Sequence, residues 1–167
     1  MKTVTLLLTL FAVPAMAEQP TLYGRYEKIR LPQIGKTLEA KMDTGAKTTS
    51  LSARDIERFQ RDGEPWVRFR LASENADDTL FEQPLTRLSK IKSRVQEGVT
   101  EVAELEPIER PVIELEVCLG DAQRVVEVNL TDRSHFNYPL LIGASALQEL
   151  DAAINPAQRF TASVPGC

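Results

Sequence analysis

The sequence predicts a mainly β fold, a small closed barrel or sandwich with one or two short helices. Three observations predict it. Several short runs alternate apolar and polar residues, the period that lines one face of a strand. Turn residues punctuate those runs at short intervals. Helical patterning is confined to two brief stretches, and no internal repeat is present.

Taken in order, residues 23–31 alternate weakly and end at the turn Pro32-Gln33-Ile34-Gly35. Residues 37–42 then alternate, with Leu38, Ala40 and Met42 on one face, and deliver the chain to Asp43. Ser52-Ala53-Arg54-Asp55 resembles a capping box, which predicts a short helix to about Gln60. Asp62-Gly63 and Pro65 break the chain. Residues 66–71 set Val67, Phe69 and Leu71 against Arg68 and Arg70, while Trp66 is expected in the core. The polar segment 73–78 reads as a hairpin tip or a flap. Residues 79–93 hold one or two strands interrupted by Pro84, and 96–107 are irregular. Residues 111–119 and 123–131 flank Gly120-Asp121, a hairpin turn. Residues 138–142 form an apolar strand ending at Gly143, and 144–150 read as the second short helix.

The N-terminus reads as an export signal. Lys2 is followed by an apolar run at 4–13 and by the small-x-small triplet Ala15-Met16-Ala17. That run is too short to span a bilayer, which takes roughly 20 residues. The expected organisation is a leader over 1–17, one domain over 18–155 and a tail over 156–167, in a periplasmic protein with no membrane span. Removing 17 residues of 167 leaves 150, enough for a single core. The leader carries one of the 20 basic residues and none of the 24 acids, so the remainder has a net charge of −5. That balance argues against nucleic acid as a partner. The two cysteines, Cys118 and Cys167, can form a disulfide in an exported chain or remain free thiols. Alternation puts Cys118 on the glutamate face of 113–119, where a tail ending in Cys167 could cover it.

Asp43 opens the stretch Asp43-Thr44-Gly45-Ala46, and Thr48, Thr49 and Ser50 follow it. About 100 residues later come Leu140-Leu141-Ile142-Gly143. Together with "KMDTGAKTTSLSA", "RPVIELEVCLG" and "VNLTDRSHFNYPLLIG", this pairing resembles the bacterial branch of the retropepsin-like aspartic proteases. That branch has also been labelled an ATP-dependent zinc protease family. The resemblance covers roughly residues 24–150 and implies a closed acid-protease barrel. It implies that Asp43 is the catalytic aspartate and Thr44 ties the two catalytic loops together. Gly45 and Ala46 would floor the substrate cleft, with Ile142 and Gly143 as support. An aspartic protease needs two carboxylates sharing one proton. With a single Asp-Thr-Gly, the second aspartate comes from another copy, so a polypeptide substrate and a homodimer are implied. The retroviral relatives carry an acid and an arginine where this chain has Lys47 and Ala144, so their dimer contacts are missing.

The zinc label finds no ligand set, since His135 is the only histidine. No glycine-rich phosphate loop supports ATP. No metal or cofactor is expected, and no serine or cysteine nucleophile has an evident base. Asp132-Arg133 is either a structural ion pair or a charged wall of the groove. Three functions remain open: an exported homodimeric aspartic endopeptidase, an inactive peptide- or partner-binding module of the cell envelope, and an accessory protein whose Asp-Thr-Gly is structural.

Overall fold

The computed structural model describes residues 19–73, 76–91 and 108–167. The expected leader and the irregular segment 96–107 lie outside the described residues. The first half contains β1 (Thr21–Gly24), β2 (Tyr26–Leu31), a 3-10 turn at Pro32–Ile34, β3 (Lys36–Asp43), β4 (Thr49–Arg61) and β5 (Glu64–Leu71). The second contains β6 (Phe81–Pro84), β7 (Arg87–Ile91), β8 (Ile108–Leu119), β9 (Ala122–Thr131), β10 (Leu140–Gly143), α1 (Ala144–Glu149) and β11 (Ala152–Asn155).

Six strands close a barrel in the order β10-β3-β2-β8-β9-β4. The four residues of β10 close it, because they pair in parallel with β3 on one side and antiparallel with β4 on the other. Closure removes the sheet edges that would otherwise leave backbone groups unpaired. β7 pairs with β8, and β5 and β6 extend from the far half of β4. β1 and β11 form a separate two-stranded parallel sheet.

Period-two patterning builds the core. Ala40 and Met42 of β3 point inward, as do Val67, Phe69 and Leu71 of β5. Ile113, Leu115, Val117 and Leu119 are fully buried along β8. The β8–β9 hairpin turns at Gly120, whose φ of 56° is the left-handed conformation that glycine adopts without a Cβ penalty. Helix α1 follows Gly143 directly and packs Ala146 and Leu147 inward.

Two expectations are corrected. The helix over 52–60 is instead the long strand β4. Ser52 does not cap a helix: its hydroxyl donates to the Ala72 carbonyl at 2.7 Å and accepts the Arg133 amide at 3.0 Å. The ladder with β5 overrides the local signal, and a bulge between Arg54 and Glu57, with Asp55 at φ 52°, lets the strand leave the barrel. Trp66 is not in the core. It shares the outer face of β5 with Arg68 and Arg70, beside Phe59 (centroids 6.4 Å apart) and under the Arg61 guanidinium at 4.2 Å.

The C-terminal tail is tied down by chemistry that leaves no periodic trace. Glu27 is 1% exposed, and its Oε1 accepts from the Gly24 amide at 2.7 Å and from the Thr161 amide and hydroxyl at 2.9 and 2.7 Å. Its Oε2 accepts the Ala162 amide at 3.1 Å. The chain then carries Cys167 to the buried Cys118, and the two form a disulfide with Cα atoms 6.2 Å apart. Among the described residues no helix is long and apolar enough to cross a membrane.

Candidate active site

Asp43 is the last residue of β3, and register places it directly opposite Gly143 of β10. The two segments singled out in the sequence, 43–46 and 140–143, therefore meet. The closeness of that meeting explains the glycine. A Cβ on Gly143 would stand 2.6 Å from the Thr48 carbonyl carbon and 2.8 Å from the Lys47 carbonyl oxygen. Three hydrogen bonds latch the loop to the start of α1. The Ala144 amide donates to the Ala46 carbonyl at 2.7 Å, and the Ser145 amide donates to the Lys47 carbonyl at 3.1 Å. The Gly143 amide donates to the buried Thr49 hydroxyl at 3.2 Å. Below the latch, Ser50 donates to the Asn129 side-chain carbonyl and Asn129 donates to the Thr49 carbonyl, both within the interior.

The Asp43 side chain is 23% exposed and both of its oxygens have donors. Oδ1 accepts the Gly45 amide at 3.0 Å, and Oδ2 accepts the Lys41 ammonium at 3.0 Å. Burial, the largest single influence, pushes the carboxyl up. The Lys41 ammonium and the Gly45 and Ala46 amides together outweigh it, so Asp43 is held below the ordinary carboxylate range. Thr44 is exposed on the same loop. Lys47 and Ala144, which differ from the retroviral anchors, are joined within this one chain through the backbone latch.

Arg133 follows β9 and lies over the Phe136 ring at 4.5 Å. Burial, with a smaller push from the like charge of Arg110, lowers its proton affinity, while the Asp43 charge works the other way. The Asp43 carboxylate is hydrogen-bonded to Lys41 and the Gly45 amide, and Arg133 acts on it only through space. The Nε atoms of Arg133 and Arg110 are both buried without a hydrogen-bond partner among the described residues. Asp132 does not pair with Arg133. Its Oδ1 accepts the Ser134 amide at 2.8 Å and shapes the loop.

An open groove of about 890 Å³ runs from Lys36 and Leu38 past Arg54 and Leu71 to Arg133 and Phe136. Residues 76–78, part of the segment read as a tip or flap, are tethered beside it. Lys36 pairs with Asp77 at 2.8 Å, and Arg54 pairs with Asp78. His135 lines the groove, and among the described residues no group of three or more His, Cys, Asp or Glu is arranged to hold a metal.

Sequence reasoning did not single out Lys41, Thr49 or Arg110. Lys41 had a signal, since a residue two before Asp43 on a strand shares its face. Thr49 was visible only as one of a run of hydroxyl residues.

A closed barrel in which Asp-Thr-Gly and a downstream apolar-apolar-Gly segment pair around the aspartate defines a retropepsin-like fold. The chain belongs to the RimB-like family, described as retropepsin-like aspartic endopeptidase RimB, whose profile matches residues 22–165. A crystal structure of a protein of unknown function from Legionella pneumophila is similar at 38% identity and a TM-score of 0.69, covering 84% of this chain and 96% of that one. A probable alpha-L-glutamate ligase of Shewanella pealeana is 29% identical over 87% of this chain and 30% of its own length. Another from Parasynechococcus marenigrum is 30% identical over 75% of this chain and 26% of its own length. The chain thus spans less than a third of these curated relatives, whose name describes the whole ligase.

Proposed function

We propose that the protein is an exported aspartic endopeptidase that works as a homodimer, with Asp43 from each copy forming the catalytic pair. The observation that carries this reading is the placement of Asp43 at a strand end opposite Gly143, with its carboxylate reachable from solvent. In such a pair one carboxylate removes a proton from water as the oxygen attacks the peptide carbonyl. The other carboxyl donates a proton to the carbonyl oxygen, and breakdown of the tetrahedral species returns the protons and releases the amine. Thr44, exposed on the same loop, would tie one copy to the other in this reading. The Cys118–Cys167 disulfide favours an oxidising compartment, in keeping with the leader.

The substrates proposed are peptides bearing glutamate or aspartate. Arg54 and Arg133 line the groove, and a carboxylate satisfies arginine better than any neutral group. Glutamate also appears in the name of the probable alpha-L-glutamate ligases to which the chain is similar. A second reading is a module that binds acidic peptides without cutting them. It is favoured by the occupation of both Asp43 oxygens within one chain.

Incubation with an acidic peptide library, read by mass spectrometry, tests both. Cleavage by the wild type that Asp43→Asn abolishes is expected, together with a dimer by light scattering. Binding without cleavage, equal in wild type and Asp43→Asn, would leave the binding module standing.

A further inference from the structure

Several charged side chains outside the site form surface ion pairs on β4, β5, β6 and the 76–80 segment. One ion pair is placed differently. Lys41 and Asp43 project from the same face of β3 while Ala40 and Met42 are buried on the other. The pair therefore sits at the mouth of the loop and not on an unrelated surface.

We propose that Lys41 is a positioning residue of the catalytic aspartate. It is a resident counter-ion that stays beside the paired Asp43 carboxyls and sets the enzyme's working pH lower than the aspartates alone would give. The inference rests on the endopeptidase reading.

The geometry leaves Lys41 this role. Oδ1 of Asp43 is fixed by the Gly45 amide, so Oδ2 is the oxygen whose environment can vary, and Lys41 Nζ holds it at 3.0 Å. Two carboxylates brought together repel, and normally one must take up a proton. A lysine on each strand offsets part of that repulsion, so the shared proton is held less tightly and the singly protonated pair occurs at lower pH. Other charged groups around the site act from further away. Arg133 reaches Asp43 only through space, with Arg110 behind it on β8. Lys47 acts on Glu127. From β2, Tyr26 is the register partner of Lys41, with the Arg25 guanidinium 4.9 Å from the Tyr26 ring. None of these is hydrogen-bonded to Asp43.

The sign follows from the depressed Asp43 carboxyl. Its ionised form is favoured by the fold, so its stabilisation is present above the ordinary carboxylate range and is lost as pH falls through the folded value. Removing Lys41 moves that folded value up.

The test compares wild type, Lys41→Met and Lys41→Arg in two measurements on the purified protein. The first is the carboxyl carbon titration of Asp43 by NMR, which needs no activity. The second is the pH profile of kcat/KM on a glutamate-containing peptide that the wild type cleaves. Lys41→Met should titrate Asp43 at higher pH and shift the whole profile upward with its width kept, while Lys41→Arg should resemble wild type. Lys41 is about half exposed, so folding should be unaffected, and circular dichroism checks this. An Asp43 titration unmoved in Lys41→Met overturns the proposal, whether or not peptides are cut. A raised titration with an unmoved profile also overturns it. Failure of the wild type to cleave any peptide defeats the endopeptidase reading, and with it the role of Lys41 in catalysis. The titration still reports separately whether the ion pair holds Asp43 ionised.

Discussion

Replacing Gly143 by alanine is the most severe single-atom test of the crossing at Asp43. The added Cβ would meet the Thr48 carbonyl carbon at 2.6 Å and the Lys47 and Thr48 carbonyl oxygens at 2.8 Å. All three are backbone atoms, so no side chain can swing away, and the 47–48 backbone must retreat. Overpacking of this kind costs about 1–3 kcal/mol. The retreat also stretches the latch formed by the amides of Gly143, Ala144 and Ser145. Weakening one or two such bonds adds about 0.5–1.5 kcal/mol each. The expected loss is then about 2–5 kcal/mol, or roughly 5–15 °C in Tm for a domain of this size. Gly45→Ala is the internal contrast, because its Cβ meets only Asp43 Oδ1 at 3.4 Å, an ordinary contact. It should melt within about 0.5 kcal/mol of wild type, as a substitution with no steric conflict does. Urea unfolding and thermal melts of the three proteins provide the comparison. A Gly143→Ala protein as stable as wild type would refute the reasoning that the two segments are locked by backbone contact.

Glu27→Ala removes the acceptor for three backbone amides and one hydroxyl. Three of these bonds are only partly buried and the Gly24 amide keeps the Thr161 hydroxyl as an acceptor, so a loss of about 1–3 kcal/mol in urea unfolding is expected, together with faster amide exchange at Thr161 and Ala162. Reducing the Cys118–Cys167 disulfide, which spans 49 residues, should destabilise the protein by up to about 4 kcal/mol on the chain-entropy account. Unfolding curves with and without dithiothreitol measure this, and coincident curves would count against a structural bridge.

The barrel was legible wherever burial on one face imposes alternation. Ala40 and Met42, the β8 series from Ile113 to Leu119, and the Gly120 turn all fall where the pattern put them. The pattern failed where a strand leaves the core. Beyond Ala53, β4 has no continuous buried face, so residues 52–60 carried only a local capping signal, and long-range pairing with β5 decided the outcome. Trp66 shows the opposite error: its size suggested the core, while its parity with Arg68 and Arg70 placed it outside. At the site, Asp43 and Gly143 were legible as motifs 100 positions apart, and their pairing followed from the resemblance. Thr49 and Arg110 depend on what faces them across the fold, which a one-dimensional pattern does not encode, whereas Lys41 was legible from its spacing of two before Asp43. The Glu27 clamp is the clearest case, since its partners lie more than 130 residues away in a tail without periodicity.

The changes at Lys47 and Ala144 bear on how two copies could meet. In one chain the backbone of these residues is already committed to the latch. β1 is paired with β11, and the tail beyond is held by Glu27 and the disulfide. On the Asp43 loop, Thr44 and the Lys47 side chain are exposed to a partner copy. A dimer that meets through this loop, with the Lys47 charge in the contact, should be sensitive to salt. Light scattering across concentration and ionic strength should accordingly show a monomer–dimer equilibrium that shifts with both. Cleavage that rises with the square of protein concentration at low concentration would tie the active form to the dimer, whereas strictly linear activity would point to a single chain.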